Sequence, residues 1–170
     1  MGEAKSGQEF ITHEFDEAIA IQEAIVDGAE TLAKDHHRAE SKHAIKVGLE
    51  TDTEQLRMLR TFGKAHTATG KAEGVAAALK TLMEDTVASA GEAPSAAYEA
   101  QAVLVALKRK QQDSAGALLR IARDLDDTEL RDAATEFGRV TRTSADALAD
   151  DLSWFALELA TARQAAASRR

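Results

Sequence analysis

From Ile11, the positions Phe15, Ala18, Gln22, Ile25, Ala29 and Leu32 follow at alternating steps of four and three, and all but Gln22 are apolar. That spacing lines one face of an α-helix, whereas a strand would scatter the same residues over both of its faces. Three more long segments repeat the pattern. Ile45, Leu49, Asp52, Leu56 and Leu59 carry it in the second, and Ala100, Leu104, Leu107, Gln111, Ser114, Leu118, Ile121 and Leu125 in the fourth. In the fifth it runs through Leu130, Ala134, Phe137, Thr141, Ser144, Leu148, Leu152, Phe155 and Leu159. A helix cannot bury such a stripe alone, so the stripes must face one another.

Breakers are few, with one Pro and ten Gly in 170 residues, and they place the boundaries. The first helix is predicted over 8–34. Asp35 then serves as a turn or N-cap residue for a second helix that ends near Gly63, which suits a C′ position. "KAHTATG" at 64–70 is a loop. A shorter helix over 71–90 presents Val75, Leu79, Leu82 and Met83, and "GEAPS" at 91–95 ends it, with Ser95 capping the next helix over 96–124. "DLDDTEL" turns the chain with Asp127 or Thr128 as cap, and the fifth helix extends to about Ala160, after which the tail frays. The expectation is an all-α fold in a single domain over 1–170, ordered over about 8–162. Four long helices form a bundle, and the 71–90 helix connects its two helical hairpins.

Composition narrows the function. The chain has no cysteine, which removes disulfides, thiolate ligands and thiol nucleophiles. Its formal charge of −8 opposes phosphate backbones and anionic lipid, so neither nucleic acid nor membrane is an expected partner. "LKRKQQ" at 107–112 is the one basic patch, and without aromatic neighbours it reads as a solvated helix face. The start "MGEAKSGQEF" lacks the apolar region of a signal peptide, and no run approaches the roughly 18 apolar residues of a membrane span. A cytoplasmic location is expected.

The stripes break their apolar rule together. Gln22, Asp52, Gln111, Ser114, Thr141 and Ser144 all fall near helix midpoints, and midpoints of aligned helices meet in one layer. A polar core layer is therefore predicted. Di-metal helical bundles place inward-pointing Glu and Glu-x-x-His ligands at this height. Here the layer offers one carboxylate, two amides and three hydroxyls, and no histidine follows His66. No metal is expected in it. A buried Asp52 needs a partner, and Lys108, Arg139 or Arg142 could reach inward to supply it. The alternative is a small rotation that turns Asp52 outward and leaves Thr51 or Gln55 inside.

Three of the five histidines fall in "DHHRAESKH" at 35–43. On a continuous helix His36, Glu40 and His43 would lie within about 60° of one another at 100° per residue, with His37 elsewhere. Ile45 lies about 200° from His43, so the trio faces away from the core and reads as solvated, with a surface metal site as its lesser possibility. The serines show no nucleophile arrangement with a histidine, and "GKAEG" at 70–74 lacks the Lys-Ser/Thr ending of a phosphate loop.

"GLETDTEQLRMLRTFG" at 48–63 resembles the His-Leu-x-x-Thr-x-x-Gln-x-x-Arg-Leu-x-x-x-Phe segment of the ferritin-like YciE/YciF family of bacterial stress proteins. "GKAEGVAAALKTLMED" at 70–85 is similar to that family's short third helix, and "ARDLDDTEL" at 122–130 to the turn before its last helix. The resemblance implies a ferritin-like bundle and a stress-associated role. It also exposes departures. Gly48 stands where the family carries a histidine, and Lys108, Arg109, Lys110 and Gln111 stand where it carries a Glu-His-Tyr-Glu block. Positive charge occupies positions that the resemblance would assign to iron ligands.

The expected function is accordingly a non-catalytic structural or interaction protein with a degenerate metal centre and no cofactor. Its simplest partner is itself, as a homo-oligomer (a dimer) formed through the helix face bearing Trp154 and Leu157. The alternative is an iron-binding oxidase or storage protein with ligands drawn from Glu17, Glu23, Glu50, Asp52 and Glu136. A weaker third option is a small apolar ligand held between alanine-rich helices.

Overall fold

The computed structural model describes residues 7–167, and among them the chain is all-helical with no strand. The elements are α1 (Gln8–Asp35), α2 (Ala39–Ala65), α3 (Gly74–Ala88), α4 (Pro94–Asp124) and α5 (Thr128–Ala167). α1 pairs with α2 and α4 with α5; α1 also packs on α4, α2 on α5, and α3 lies against α1 and α4. The diagonal pairs, α1 with α5 and α2 with α4, make no close backbone approach among the described residues.

Side-chain contacts fix the directions. Arg38, just before α2, reaches Asp151 in the later part of α5, and Gln101 near the start of α4 meets the same carboxylate. The starts of α2 and α4 therefore share one end, the two helices run the same way, and α3 must carry the chain back along the outside.

The boundaries differ from expectation where cap chemistry overrides glycine. Gly63 lies buried inside α2, and the helix ends in Thr67 at φ 60. There the Ala68 N–H bonds the Gly63 carbonyl and the Thr67 N–H the Lys64 carbonyl, a Schellman closure. α4 stops the same way at Asp126 (φ 52), whose short polar side chain tolerates the left-handed region. Asp127 then caps α5 by accepting the Leu130 N–H at 2.9 Å. α4 begins at Pro94 rather than at Ala96 behind a Ser95 cap, because proline's fixed φ and missing N–H suit the first helical position. α5 runs on to Ala167, past the expected fray, and the remaining tail lies outside the described residues.

α3 starts at Gly74, and of the face expected to turn inward Met83 is buried and Leu79 packs on the core. Val75 and Leu82 instead point out, 60% and 47% exposed, and Ala76 takes an interior place. The approach is set by Gly28, where a Cβ would stand 2.6 Å from the Met83 methyl carbon. Covered by α2, α3 and α4 together, α1 buries Ile19, Ile21, Ala24 and Val26 beyond its stripe. Leu125, at the end of the fourth stripe, is instead 46% exposed, because the chain has already left the helix.

The apolar interior is divided in two. One cluster holds Ile25, Leu32, Ile45, Leu104, Leu107 and Leu148, and the other Phe15, Ile19, Leu56, Leu118, Leu130 and Phe137. Between them, at the height of Gln22 and Asp52, the interior is polar.

Candidate functional site

Each long helix contributes to this layer. Gln111 of α4 donates from Nε2 to the Ala18 carbonyl at 2.8 Å and to Gln22 Oε1 of α1 at 2.9 Å. Gln22 Nε2 donates to the Asp52 carbonyl of α2 at 3.0 Å and, more weakly, to Gln55 Oε1 at 3.4 Å. Gln55 Nε2 completes the chain at 3.3 Å from the Thr141 hydroxyl of α5. The amides thus run in one direction around the ring of helices, each donating to the next.

An ion pair crosses the middle of that ring. Lys108 Nζ donates to Asp52 Oδ1 at 2.5 Å, and the two residues are only 2% and 3% exposed. They stand on α4 and α2, a diagonal pair with no close backbone contact, so a side chain of lysine's length is required to span the gap. Burial pushes the Asp52 carboxyl above its ordinary value, and the Lys108 charge and hydrogen bond pull against that rise. The layer as a whole carries one positive and one negative charge.

Of the residues picked out by their place in the stripes, Gln22, Asp52, Gln111 and Thr141 are joined in this network. Ser114 is buried one turn further along α4, beside the second apolar cluster, and its hydroxyl has no hydrogen-bond partner. Ser144 is only half-buried, because Ala145 takes the interior position beside it. Lys108 and Gln55 were not assigned to the layer from the stripes. Lys108 adjoins Leu107 on the edge of its stripe, and its sequence signal was the need of a buried Asp52 for a cation. Arg139 and Arg142, the other candidates for that role, are exposed. The basic segment 107–112 is accordingly a solvated face only in part: Arg109 is exposed and pairs with Asp146 at 2.6 Å, the half-buried Lys110 pairs with Glu17 at 3.5 Å, and Lys108 is interior.

The histidine trio does not assemble. The helix is interrupted at residues 36–38, so the 100° spacing does not extend back to His36, whose ring turns inward and is 1% exposed. Glu40 and His43 are exposed on α2. The acidic set proposed for iron is likewise dispersed. Glu23 faces Arg60 at 2.8 Å and Lys80 at 3.6 Å, and Glu17 faces Lys110 at 3.5 Å and His13 at 3.7 Å. Glu136 pairs with Arg139 at 2.5 Å on the surface, and Glu50 is exposed on α2. Among the described residues no three His, Asp or Glu side chains are placed to hold one metal ion.

Gly48 also points to this layer. A Cβ added there would lie 3.8 Å from the Ser144 hydroxyl and 3.9 Å from Asp52 Oδ2, so any side chain at position 48 would start beside the Asp52 carboxylate. Among the described residues no helix is long and apolar enough to cross a membrane. No protein-family model and no curated protein matches this chain.

Proposed function

We propose that this chain is a ferritin-like helical bundle in which a buried lysine has taken the place of metal, and that it serves as a structural or interaction protein rather than an oxidase. The observation that carries the reading is the Lys108–Asp52 pair at 2.5 Å in the middle of the polar layer. A di-iron centre requires several carboxylates and imidazoles converging on one volume. This volume holds one carboxylate already engaged by an ammonium, surrounded by amides and a hydroxyl, and the donor set does not fit.

The connectivity supports the fold half of the reading. Two hairpins are joined by one long crossover through α3, with α2 and α4 running the same way, and a single long crossover is what a ferritin-like bundle calls for. Positions 48, 108 and 111, where the resembling family carries histidine and acidic ligands, all border the layer. The stress-associated role rests on that resemblance alone.

The test is aerobic ferrous loading followed by desalting and elemental analysis. The expected result is no retained iron. About two irons per chain, the stoichiometry of the di-iron plan, would overturn the reading. The partner in this proposal is a second copy, through the α5 face where Trp154 is 57% and Leu157 52% exposed. Light scattering at micromolar concentration reads a dimer if that is right and a monomer if it is not.

A further inference from the structure

At the end of the molecule where α1 turns into α2, His36 is buried against side chains of α4 and α5. Its ring packs on Phe155 of α5 with centroids 5.1 Å apart, and the Tyr98 ring of α4 stands 6.0 Å from that of Phe155. Nδ1 accepts the Arg38 backbone N–H at 3.1 Å. The acceptor role fixes the tautomer: the lone pair is on Nδ1, and the ring's one proton is on Nε2. Nε2 makes no hydrogen bond within ordinary limits, and neither does Oε1 of the buried Gln101, the side chain that faces it.

A second proton has only one place to go. It must enter at Nδ1, where the Arg38 N–H already points, so the imidazolium sets two N–H groups head to head at the entrance to α2. The surroundings give the new charge little relief. Arg38 brings a guanidinium from the turn, and His37 stands beside it, bonded to the Gly91 carbonyl at 3.0 Å. Asp151 of α5 is the nearest carboxylate, but it already accepts from Arg38, from the Ser41 hydroxyl at 2.6 Å and from Gln101 at 2.9 Å. Glu158 of α5 is taken by Arg38 at 2.9 Å, and Glu40 of α2 lies 3.8 Å from the same guanidinium.

We propose that His36 is an acid-operated latch: taking up a second proton drives its ring from the pocket, breaks its bond to Arg38 and loosens the part of α5 that carries Phe155. The consequence is local, because α1, α2 and α4 are held at mid-height by the Asp52 layer, which contains no histidine. Burial supports the direction by pushing the His36 imidazole below its ordinary value of 6.5, outweighing the upward pull of Gln101, the Arg38 backbone and Asp151. A depressed histidine contributes stability above 6.5, and that contribution is lost as pH falls through the folded-state value. One linked proton sets the slope at no more than about tenfold in local opening per pH unit.

Hydrogen exchange over residues 148–160, expressed as protection relative to the unstructured chain, tests this at about pH 7.5 and about pH 5.5. In the wild-type chain protection there is expected to fall several-fold in acid while residues 18–30 keep theirs. His36→Gln, whose amide accepts the Arg38 N–H and faces Gln101 without titrating, is expected to show no such fall. Unchanged wild-type protection, an equal loss in residues 18–30, or a variant that loosens as the wild type does would each overturn the latch. NMR titration of the wild-type His36 ring needs no variant. A midpoint below 6.5 supports the proposal, and one at or above 6.5 overturns it.

Discussion

Asp52 and Asp151 are both carboxylates met by a cation between helices, yet they are held by opposite means. Asp52 is fully enclosed and offers one oxygen to one ammonium, with apolar clusters above and below it. Asp151 lies at the molecule's end, its side chain 15% exposed, and draws on a guanidinium, a hydroxyl and an amide from three separate elements. The first depends on one partner in a medium that cannot replace it. The second shares its charge among several donors, with water close by. Enclosure and number of donors, rather than the presence of an ion pair, decide what each is worth.

The two regions also respond to acid in opposite senses. Asp52 is raised above 3.8, so its protonated form is favoured on folding; the associated stability is fully present below 3.8 and is lost as pH rises through the folded value. His36 is lowered, so its stability is present above 6.5 and lost on acidification. Mild acid therefore loosens the end of the molecule while the middle, through Asp52, holds at least as firmly.

The largest difference between the two carboxylates is expected on removing the cation at Lys108. Lys108→Met leaves the Asp52 carboxylate enclosed without its cation and is expected to cost about 3–5 kcal/mol in urea denaturation. Adding Asp52→Leu to the same chain removes the stranded charge and should recover most of that loss, since paired apolar replacements of buried ions are often neutral or stabilising. A single variant within about 1 kcal/mol of wild type would mean that the layer admits water and that Asp52 is no more enclosed than Asp151.

Asp151→Ala is the matching change at the end. It leaves Arg38, Ser41 and Gln101 without their shared acceptor, but solvent can reach the cluster, so about 2 kcal/mol is expected, measured by the same denaturation. Repeating it in molar salt should shrink the difference, because a partly exposed pair is screened. A loss as large as that of Lys108→Met would erase the distinction between the two carboxylates.

How much of this was legible follows from side-chain length and from turn chemistry. The 3–4 spacing of short apolar residues marks the helices because such side chains touch only what lies directly before them. The interruptions Gln22, Asp52, Gln111 and Thr141 mark the layer for the same reason. Lys108 and Gln101 escape the pattern, since a long side chain can enter the interior from the edge of a stripe. Gln55 is three positions from Asp52 on α2 and reads as an alternative to it, whereas both are inside. The turn at 36–38 contains neither glycine nor proline, so nothing in the sequence separates α1 from α2 sharply enough to show that His36 lies outside the helical spacing. Cap geometry set by Thr67 and Asp126 is hidden likewise, because neither residue type marks a helix end by itself.

The smallest expected effect separates the two parts of the layer. Gln55 is buried, but its bonds to Gln22 and Thr141 are long, at 3.4 and 3.3 Å, and each neighbour has another outlet. Gln22 keeps its bond to the Asp52 carbonyl, and a helical threonine can turn its hydroxyl to the carbonyl four residues back. Gln55→Leu fills nearly the same volume with carbon. A change of about 1 kcal/mol or less is expected, and little of it should depend on pH. If Gln55→Leu instead cost as much as Lys108→Met, the amide chain and the ion pair would be one cooperative unit, and removing either would dissolve the layer. A small effect places the energetic weight of the layer on the diagonal pair, and leaves the amides the task of setting helix register around it.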